Sequence, residues 1–235
     1  MNIDKYYLVS IDRTANIRKE NITKLKQSVK EYTGKNIYKF GVDGKKLNGH
    51  IVKGLKRRKI LHKKDWGRTK NKSKRSYTYF KKSIIGCFLS HVEIWEDIIK
   101  NNIKYAIIFE DDALYTTNNF FKEVDKIIST IPENTDFISL FHHNKLEQVE
   151  LIQTLKEYNE YLLKINDFIW GTVCYIITLK GAKKFMKNLL PIDMPVDGAI
   201  AHYCLTNKTE TAYLSKIKLV KLCDNFSTIR VLNKI

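Results

Sequence analysis

The stretch from residue 105 to residue 112, YAIIFEDD, constrains the fold of this chain more than any other. Its first five residues are apolar or aromatic and predict a buried β-strand. Three consecutive carboxylates, Glu110, Asp111 and Asp112, follow directly. Adjacent acids repel one another and attract hard divalent cations such as Mn²⁺ or Mg²⁺, which prefer oxygen ligands. Because open α/β sheets bind ligands at the carboxyl ends of their strands, this strand end is a candidate ligand site; a solvated acidic turn is the alternative.

Hydrophobic periodicity around this stretch predicts a succession of strands and helices. A strand over residues 6–11, a helix over 17–32 and a strand over 37–40 predict a parallel βαβ unit. The later helices are predicted over 83–101, 120–131, 146–163, 180–190 and 196–205, and the later strands over 136–141, 170–178 and 217–222. No proline-, glycine- or serine-rich linker divides the chain, so we predict one α/β domain over residues 1–235.

Composition predicts a cytoplasmic protein with a sizeable core. Hydrophobic residues make up 43% of the chain. Asp4 and Lys5 interrupt any N-terminal signal peptide, and no window approaches the ~18 apolar residues of a membrane span. We therefore expect a soluble chain that is at most peripheral to a membrane. The cysteines are far apart and lack the paired spacing of zinc sites, which predicts free buried thiols in a reducing compartment. They are Cys87, Cys174, Cys204 and Cys223.

The net charge of +17 is concentrated in one segment. Residues 53–82 hold 14 lysines or arginines against one acid, Asp65, and so carry +13. Their pattern predicts a loop or insertion with short helical pieces. Such a block is a solvated loop or a patch that faces an anion. Aromatic residues interleave with its charges, as on nucleic-acid-binding surfaces, so a nucleic-acid-binding protein is one alternative function.

The helix predicted over 83–101 carries two unusual residues. Gly86 in its first turn lowers helix propensity and permits the close approach of another backbone. His91 lies one turn from both Cys87 and Trp95, so it faces inward. An inward histidine is either a satisfied core residue or a ligand of a bound group, and both interpretations stay open.

These motifs together resemble glycosyltransferase family 25. The sequence GCFLSH at 86–91, then a helix and IFEDD at 108–112, is similar to the signature of that family, which includes bacterial lipooligosaccharide galactosyltransferases and procollagen galactosyltransferases. Weaker matches occur in family order along almost the whole chain. They are SIDR at 10–13, VDG at 42–44, GT at 171–172 with Tyr175, GA at 181–182, PIDMPVD at 191–197, and Ser227 with Ile229.

The resemblance implies a GT-A fold, a Rossmann-like nucleotide-sugar-binding domain with a mixed, mostly parallel sheet flanked by helices. It also implies inverting transfer of a sugar, usually galactose from UDP-galactose, to a hydroxyl of a glycan, glycolipid or protein-linked acceptor. Mn²⁺ or Mg²⁺ is the implied cofactor.

The same resemblance implies roles for particular residues. Asp112, with Glu110 or Asp111, is expected to hold the metal; Glu110 and Asp112 point the same way if strand alternation continues. The residues implied to contact the nucleotide-sugar are Ile11, Asp12, Arg13, Asp43, Gly44, Ser90, His91, Glu110 and Asp111. Many GT-A enzymes add a late histidine ligand, which the sequence KLCD at 221–224 lacks. Asp224 or water is then the third ligand, and His202 is structural.

Inverting transfer needs a base for the acceptor hydroxyl. Asp197, at the start of the helix that follows the glycine-bearing strand and its helix, is the candidate, with Asp193 as the second choice. A carboxylate that caps the helix is the alternative role for Asp197. The basic segment is expected to serve the acceptor side, where acidic glycans or an anionic membrane surface would be attracted. An inactive family member that binds UDP without turnover is a further alternative.

Overall fold

The computed structural model describes residues 3–62, 82–206 and 211–223. The strands are β1 Lys5–Val9, β2 Ile37–Phe40, β3 Tyr105–Glu110, β4 Ala113–Tyr115, β5 Phe137–Ser139, β6 Leu162–Lys164, β7 Cys174–Thr178, β8 Ala212–Ser215 and β9 Val220–Leu222. The helices are α1 Asp12–Ala15, α2 Lys19–Thr33, α3 Gly49–Arg57, α4 Lys82–Lys100, α5 Phe120–Ser129, α6 Leu146–Thr154, α7 Leu179–Asn188 and α8 Val196–Thr206.

Seven strands form one mixed sheet in the order β2-β1-β3-β7-β5-β8-β6. β1 runs parallel to both β2 and β3, and β5 runs parallel to β8. β7 is antiparallel to β3 and β5, and β6 is antiparallel to β8. Five of the seven strands therefore point the same way, which confirms the predicted mixed, mostly parallel α/β sheet. The parallel βαβ unit at the start of the chain is also confirmed, while a single domain over residues 1–235 stays a prediction.

The sheet is covered by helices on both faces. One core includes residues of α4, α7 and α8, and the other includes residues of α2 and α5. Strand β3 supplies both cores: Ala106 and Ile108 belong to the first, Ile107 and Phe109 to the second, and all four are fully buried. A strand buried on both faces has no polar alternation, which explains the continuous apolar run that precedes the three acids.

The helix predicted over 146–163 is confirmed only in its first half, over Leu146–Thr154. α6 ends at Thr154, and the chain then reverses into β6. The side-chain oxygen of Asn159 accepts hydrogen bonds of 2.9 Å from the backbone N–H groups of Tyr161 and Leu162, and this local turn competes with the helix. The short strands β4 and β8 were not predicted. Four-residue β8 is wholly buried between β5 and β6, so its strand conformation depends on long-range pairing.

Gly86 confirms the expected close approach of two backbones. A Cβ atom there would lie 2.5 Å from the carbonyl oxygen of Val42 and 2.6 Å from the backbone nitrogen of Gly44. Helix α4 is thereby pressed against the loop that follows β2. The four cysteines are free thiols, as predicted, but only Cys174 and Cys204 are buried, whereas Cys87 and Cys223 are half-buried. Within the described ranges, no helix combines the length and apolarity that a bilayer crossing requires.

Candidate functional site

The carboxyl ends of β1, β2 and β3 meet at one edge of the sheet. Val9, the last residue of β1, is aligned with Phe40 of β2 and with Glu110 of β3. The backbone N–H of Ser10 donates to the carbonyl of Phe40 at 2.9 Å, which keeps the chains together beyond the strands. Ligands of parallel α/β sheets bind at such an edge.

The turn that holds Asp111 and Asp112 is fixed by a side chain of α2. β3 ends at Glu110, and residues 111–112 form the turn into β4. The buried side-chain amide of Asn21 on α2 donates to the carbonyl oxygens of Asp111 and Ala113, at 2.8 and 3.0 Å. The expectation that Glu110 and Asp112 point the same way required the strand to continue to Asp112. The strand stops at Glu110 instead, so its side-chain alternation does not apply to Asp112.

Asp112 is a buried carboxylate without enough compensating partners. It is 8% exposed, and its Oδ1 accepts no hydrogen bond from the described residues. Its Oδ2 lies 3.8 Å from Nη2 of Arg18, which precedes α2. Burial, followed by the charges of Glu110 and Asp111, raises the pKa of Asp112 to about 7, although Arg18 lowers it. The turn thus holds more negative charge than one arginine neutralises, which fits a divalent cation with oxygen ligands.

Glu110 faces a different group of residues. Its Oε1 accepts a 2.5 Å hydrogen bond from the hydroxyl of Thr172 and lies 3.6 Å from Nε2 of His91 on α4. Burial disfavours the ionised form, but His91 and Thr172 outweigh burial, so the pKa of Glu110 lies below its ordinary value. Glu110 is therefore an ionised carboxylate that is held by α4 and the segment before β7.

His91 is positioned by a buried aromatic pair. Its Nδ1 lies 2.8 Å from the hydroxyl oxygen of Tyr175, which also accepts a 3.1 Å hydrogen bond from Nε1 of Trp95. The imidazole is fully buried, and Nε2 makes no hydrogen bond with a described residue. One ring nitrogen is therefore satisfied in the core, whereas the other faces Glu110.

Ser90 ties α4 to the loop after β2. Its hydroxyl accepts from the backbone N–H of Val42 and donates to the carbonyl of Gly86, both at 2.9 Å. The Ser90 hydroxyl is therefore hydrogen-bonded to two backbone groups, next to the close contact at Gly86. They hold the loop from Val42 to Gly44 at the edge of the site.

Arg13 and Asp43 form a charged pair at the same edge. Nη2 and Nε of Arg13 lie 3.2 and 3.3 Å from the two carboxylate oxygens of Asp43. Burial raises the pKa of Asp43, but Arg13 and the N–H of Lys45 more than compensate, so its pKa lies below the usual value. The Asp12 side chain is 92% exposed and pairs with Lys39. Ile11 and Gly44 are neighbours of this pair in the sequence; Ile11 is half-buried and Gly44 is buried.

Asp197 lies in the first turn of α8 and accepts a 2.8 Å hydrogen bond from the N–H of Gly198. Burial raises the pKa of Asp197, and the charge of Glu110 adds to this while His91 opposes it. The pKa of Asp197 therefore depends on the charges of both Glu110 and His91. Asp193 is exposed on the connection between α7 and α8.

A family model described as "Glycosyltransferase family 25 (LPS biosynthesis protein)" matches residues 3–200. The chain belongs to glycosyltransferase family 25. The match covers the motifs that carried the resemblance, apart from Ser227 and Ile229.

Family 25 relatives differ in the activity that their names state. The chain is 26% identical to procollagen galactosyltransferase 1 of Danio rerio, over 82% of this chain and 31% of the relative. It is 25% identical to procollagen galactosyltransferase 2 of Homo sapiens, over 82% and 30%. It is 24% identical to the "probable inactive glycosyltransferase 25 family member 3" of Bos taurus, over 82% and 31%. The chain spans about a third of the length of these relatives.

A solved glycosyltransferase involved in glycosylation of the major capsid of PBCV-1 is also similar, with a TM-score of 0.45 and 10% identity over 98% of both chains. A similarity this weak supports no argument about the site.

Two residues that were not predicted as site residues also belong to the site. Arg18 contacts Asp112 across 94 positions of sequence, a contact that depends on the packing of α2. Cys87 lies one turn before His91 on α4, and its thiol, His91 and Glu110 each present a ligand atom within 4.8 Å of the others. The Cys87–His91 spacing was visible in the sequence, but their convergence on Glu110 depends on how α4 packs against β3.

Some of the predicted site and motif residues lie outside the part of the chain that the structure describes. Residues 63–81 of the basic segment, Asp224, Ser227 and Ile229 lie outside the described residues. His202 is exposed on α8. The identity of a third ligand therefore stays a prediction.

Proposed function

We propose that this chain transfers a sugar, most often galactose, from a UDP-sugar to an acceptor hydroxyl with inversion and metal assistance. The observation that carries the proposal is Asp112, buried at the end of β3 beside Arg18, with an unfilled Oδ1. Membership of family 25 and the two relatives named as galactosyltransferases support the reaction and the donor.

The cation would be held by Asp112 with Asp111, which shares the turn after β3, whereas Glu110 is bonded to Thr172 and lies beside His91. A bound Mn²⁺ or Mg²⁺ would neutralise charge on the diphosphate leaving group. Arg18 would add a fixed positive charge to the same diphosphate, and its present contact with Asp112 holds it at that position.

The nucleoside would lie between the ends of β1 and β2. Asp43 is ionised and held by Arg13, so its carboxylate can accept hydrogen bonds from ribose hydroxyls. Ser90 and His91 would act by holding the loop after β2 and Glu110. Contacts of Ile11, Asp12 and Gly44 with the nucleotide stay predictions.

Asp197 would accept the proton of the acceptor hydroxyl. Its raised pKa makes it a stronger base than an exposed aspartate, and the hydrogen bond from Gly198 fixes one carboxylate oxygen. The helix-cap role and the base role are compatible, because Gly198 donates to Oδ1 and a carboxylate has a second oxygen that can take up a proton.

A donor screen tests the proposal. Purified protein with Mn²⁺ is offered UDP-galactose, UDP-glucose and UDP-N-acetyl sugars, and both UDP binding and donor hydrolysis are measured. Metal-dependent hydrolysis of one donor, preferably UDP-galactose, is expected. UDP binding without hydrolysis or transfer would identify an inactive member, which is the alternative that the bovine relative's name raises. Absence of UDP binding would refute the proposed donor site.

We further propose that the basic segment serves the acceptor. Its first part is α3, and the chain before residue 63 lies beside the connection to α8, where the N–H of His62 donates to the carbonyl of Ile192 at 3.1 Å. At its other end, the carbonyl of Lys82 is packed against Gly44. Both ends of the segment therefore flank the candidate site.

Charge neutralisation tests the acceptor proposal. Glutamine replacements of four basic residues should weaken binding to anionic vesicles by up to about fivefold per charge, since each basic residue near such a surface contributes roughly 1 kcal/mol. Donor hydrolysis should not change. The residues are Arg57, Arg58, Lys63 and Lys64. The matched control replaces four lysines of α5 and α7, namely Lys122, Lys126, Lys183 and Lys187. Equal losses in both variants, or loss of UDP binding, would contradict the assignment.

A further inference from the structure

Three side chains of different chemistry converge on the α4 face of the sheet. Cys87 and His91 lie one helical turn apart on α4, and Glu110 ends the strand beneath them. A sulfur, a ring nitrogen and a carboxylate oxygen from these residues all lie within 4.8 Å of one another. Helix and strand positions of this kind are rigid, so the convergence is a property of the fold.

The histidine is oriented as in metal sites. Its Nε2 is fully buried, lies 3.6 Å from Oε1 of Glu110 and makes no hydrogen bond with a described residue. With the proton on Nδ1, the ring donates to the Tyr175 hydroxyl oxygen at 2.8 Å, and the lone pair of Nε2 lies on the side of Glu110. Metal-binding histidines commonly donate their second ring N–H to an oxygen in this way.

We propose that Cys87, His91 and Glu110 form a binding site for a borderline-soft divalent cation of the zinc class. A thiolate, an imidazole and one carboxylate suit Zn²⁺ or Co²⁺ better than Mg²⁺ or Mn²⁺. Ligand atoms around a tetrahedral zinc ion lie roughly 3.4 Å apart, so the present spacing needs only a small closure. Three protein ligands leave the fourth position open to water or to substrate.

Charge around the site favours a cation. Burial, and then the charges of Glu110, Asp197, Asp112 and Asp111, raises the pKa of the Cys87 thiol well above its ordinary value. These negative charges oppose a bare thiolate but attract a metal ion. On binding, the ion replaces the thiol proton, which passes to solvent, and Glu110 is already ionised. Cys87 is half-buried, so an ion can reach its sulfur from solvent.

This site differs from the one proposed at Asp112. Glu110 meets α4, whereas Asp112 meets Arg18 before α2, and the donor atoms of the two sites prefer different metals. Binding of a zinc-class ion does not depend on sugar transfer, so the two proposals can fail separately.

Cobalt titration tests the site, because a thiolate bound to Co²⁺ gives a charge-transfer absorption band and a tetrahedral ion gives intense visible bands. Metal-free wild-type protein should show both bands and saturate at one equivalent, and Zn²⁺ should abolish them. Cys87→Ser should lose the thiolate band and at least about 100-fold in Zn²⁺ affinity, since loss of an outer hydrogen-bond partner alone costs roughly 10- to 100-fold. Tyr175→Phe should lower the affinity by about 10- to 100-fold while keeping the thiolate band.

Two controls separate this site from others. Cys204→Ala, a buried thiol on α8, and Asp112→Asn should both keep the band. A band that persists in Cys87→Ser, or no thiolate band in the wild-type protein, would overturn the proposal. Should Cys87→Ser fail to fold, the Asp112→Asn variant decides the matter: Zn²⁺ must raise its melting temperature, and no shift would count against the site.

Discussion

Replacement of Asp112 with asparagine should stabilise the metal-free protein at neutral and alkaline pH, and should remove its stabilisation by Mn²⁺. Asparagine keeps the shape of the side chain but carries no charge. In the folded protein, the Asp112 carboxylate is buried near Glu110 and Asp111, and Arg18 and the backbone N–H of Asp112 offset their repulsion only in part. The change therefore removes a destabilising charge and a cation ligand at once.

The size of the effect follows from the pKa. The pKa of Asp112 is raised from an ordinary 3.8 to about 7. One pKa unit corresponds to ~1.4 kcal/mol, so full ionisation costs the folded state on the order of 4 kcal/mol. Because the folded state holds the proton more tightly than the unfolded state, the wild-type protein loses this stability as pH rises from about 4 to 7. The stability difference between the variant and the wild-type protein should be near zero below pH 4, grow up to pH 7 and then stay level.

Thermal unfolding in the presence of a chelator measures this difference. For a domain of this size, 1 kcal/mol shifts the melting temperature by roughly 2–4 °C, so the variant should melt on the order of 10 °C higher at pH 8. With Mn²⁺ and UDP added, the wild-type protein should gain stability and the variant should gain little, because a ligand stabilises only the state that binds it. Calorimetry should show much weaker UDP binding to the variant in Mn²⁺.

A pH-independent stability difference would mean that Asp112 does not carry the buried charge. An unchanged UDP affinity in Mn²⁺ would remove Asp112 from the metal site. Glu20→Gln, an exposed change on α2 that also removes one negative charge, is the control and should alter neither quantity.

The other predictions concern the diphosphate and the base. Arg18→Gln should weaken UDP binding about tenfold or more, because hydrogen bonds to charged groups contribute ~1.5–3 kcal/mol; Lys24→Gln on the exposed face of α2 is the control, and equal affinities would remove Arg18 from the donor site. Asp197→Asn should leave UDP affinity nearly intact but lower turnover by about 10² or more. Asp193→Asn should have little effect on turnover, and the opposite result would make Asp193 the base and Asp197 only a helix cap.

The parts of the fold that the sequence predicted well are those with a strong local cause. β3 is recognised because a strand buried on both faces must be apolar throughout and because it stops abruptly at three acids. Gly86 is recognised because a glycine in a helix is unfavourable unless the space is needed, and here another backbone occupies that space. Helix α6 was extended too far, since the hydrogen bonds of Asn159 that reverse the chain leave no periodic pattern.

The candidate site was predictable only in part, because its electrostatics are long-range. The acids were visible in the sequence, but the partner of Asp112 lies on a segment 94 residues earlier. The sequence around Arg18 contains no pattern that predicts this contact. The side chain of Glu110 is directed to α4 because the strand ends at that residue. Three adjacent acids in a sequence do not predict which of them ends the strand. Sequence gives the set of charged groups at a strand end, whereas the packing of helices on both faces decides which groups meet.

The point at which β3 ends divides three adjacent acids between two environments. Glu110, the last residue in strand conformation, is directed to α4, where Thr172 and His91 keep it ionised. Asp112, in the turn, is directed to Arg18, where it is incompletely neutralised. An oxygen-preferring ion and a sulfur- and nitrogen-preferring ion would therefore compete little for ligands at this edge, although their charges would repel. Occupancy of one site should consequently weaken the other through charge alone, and this coupling should diminish as salt is added.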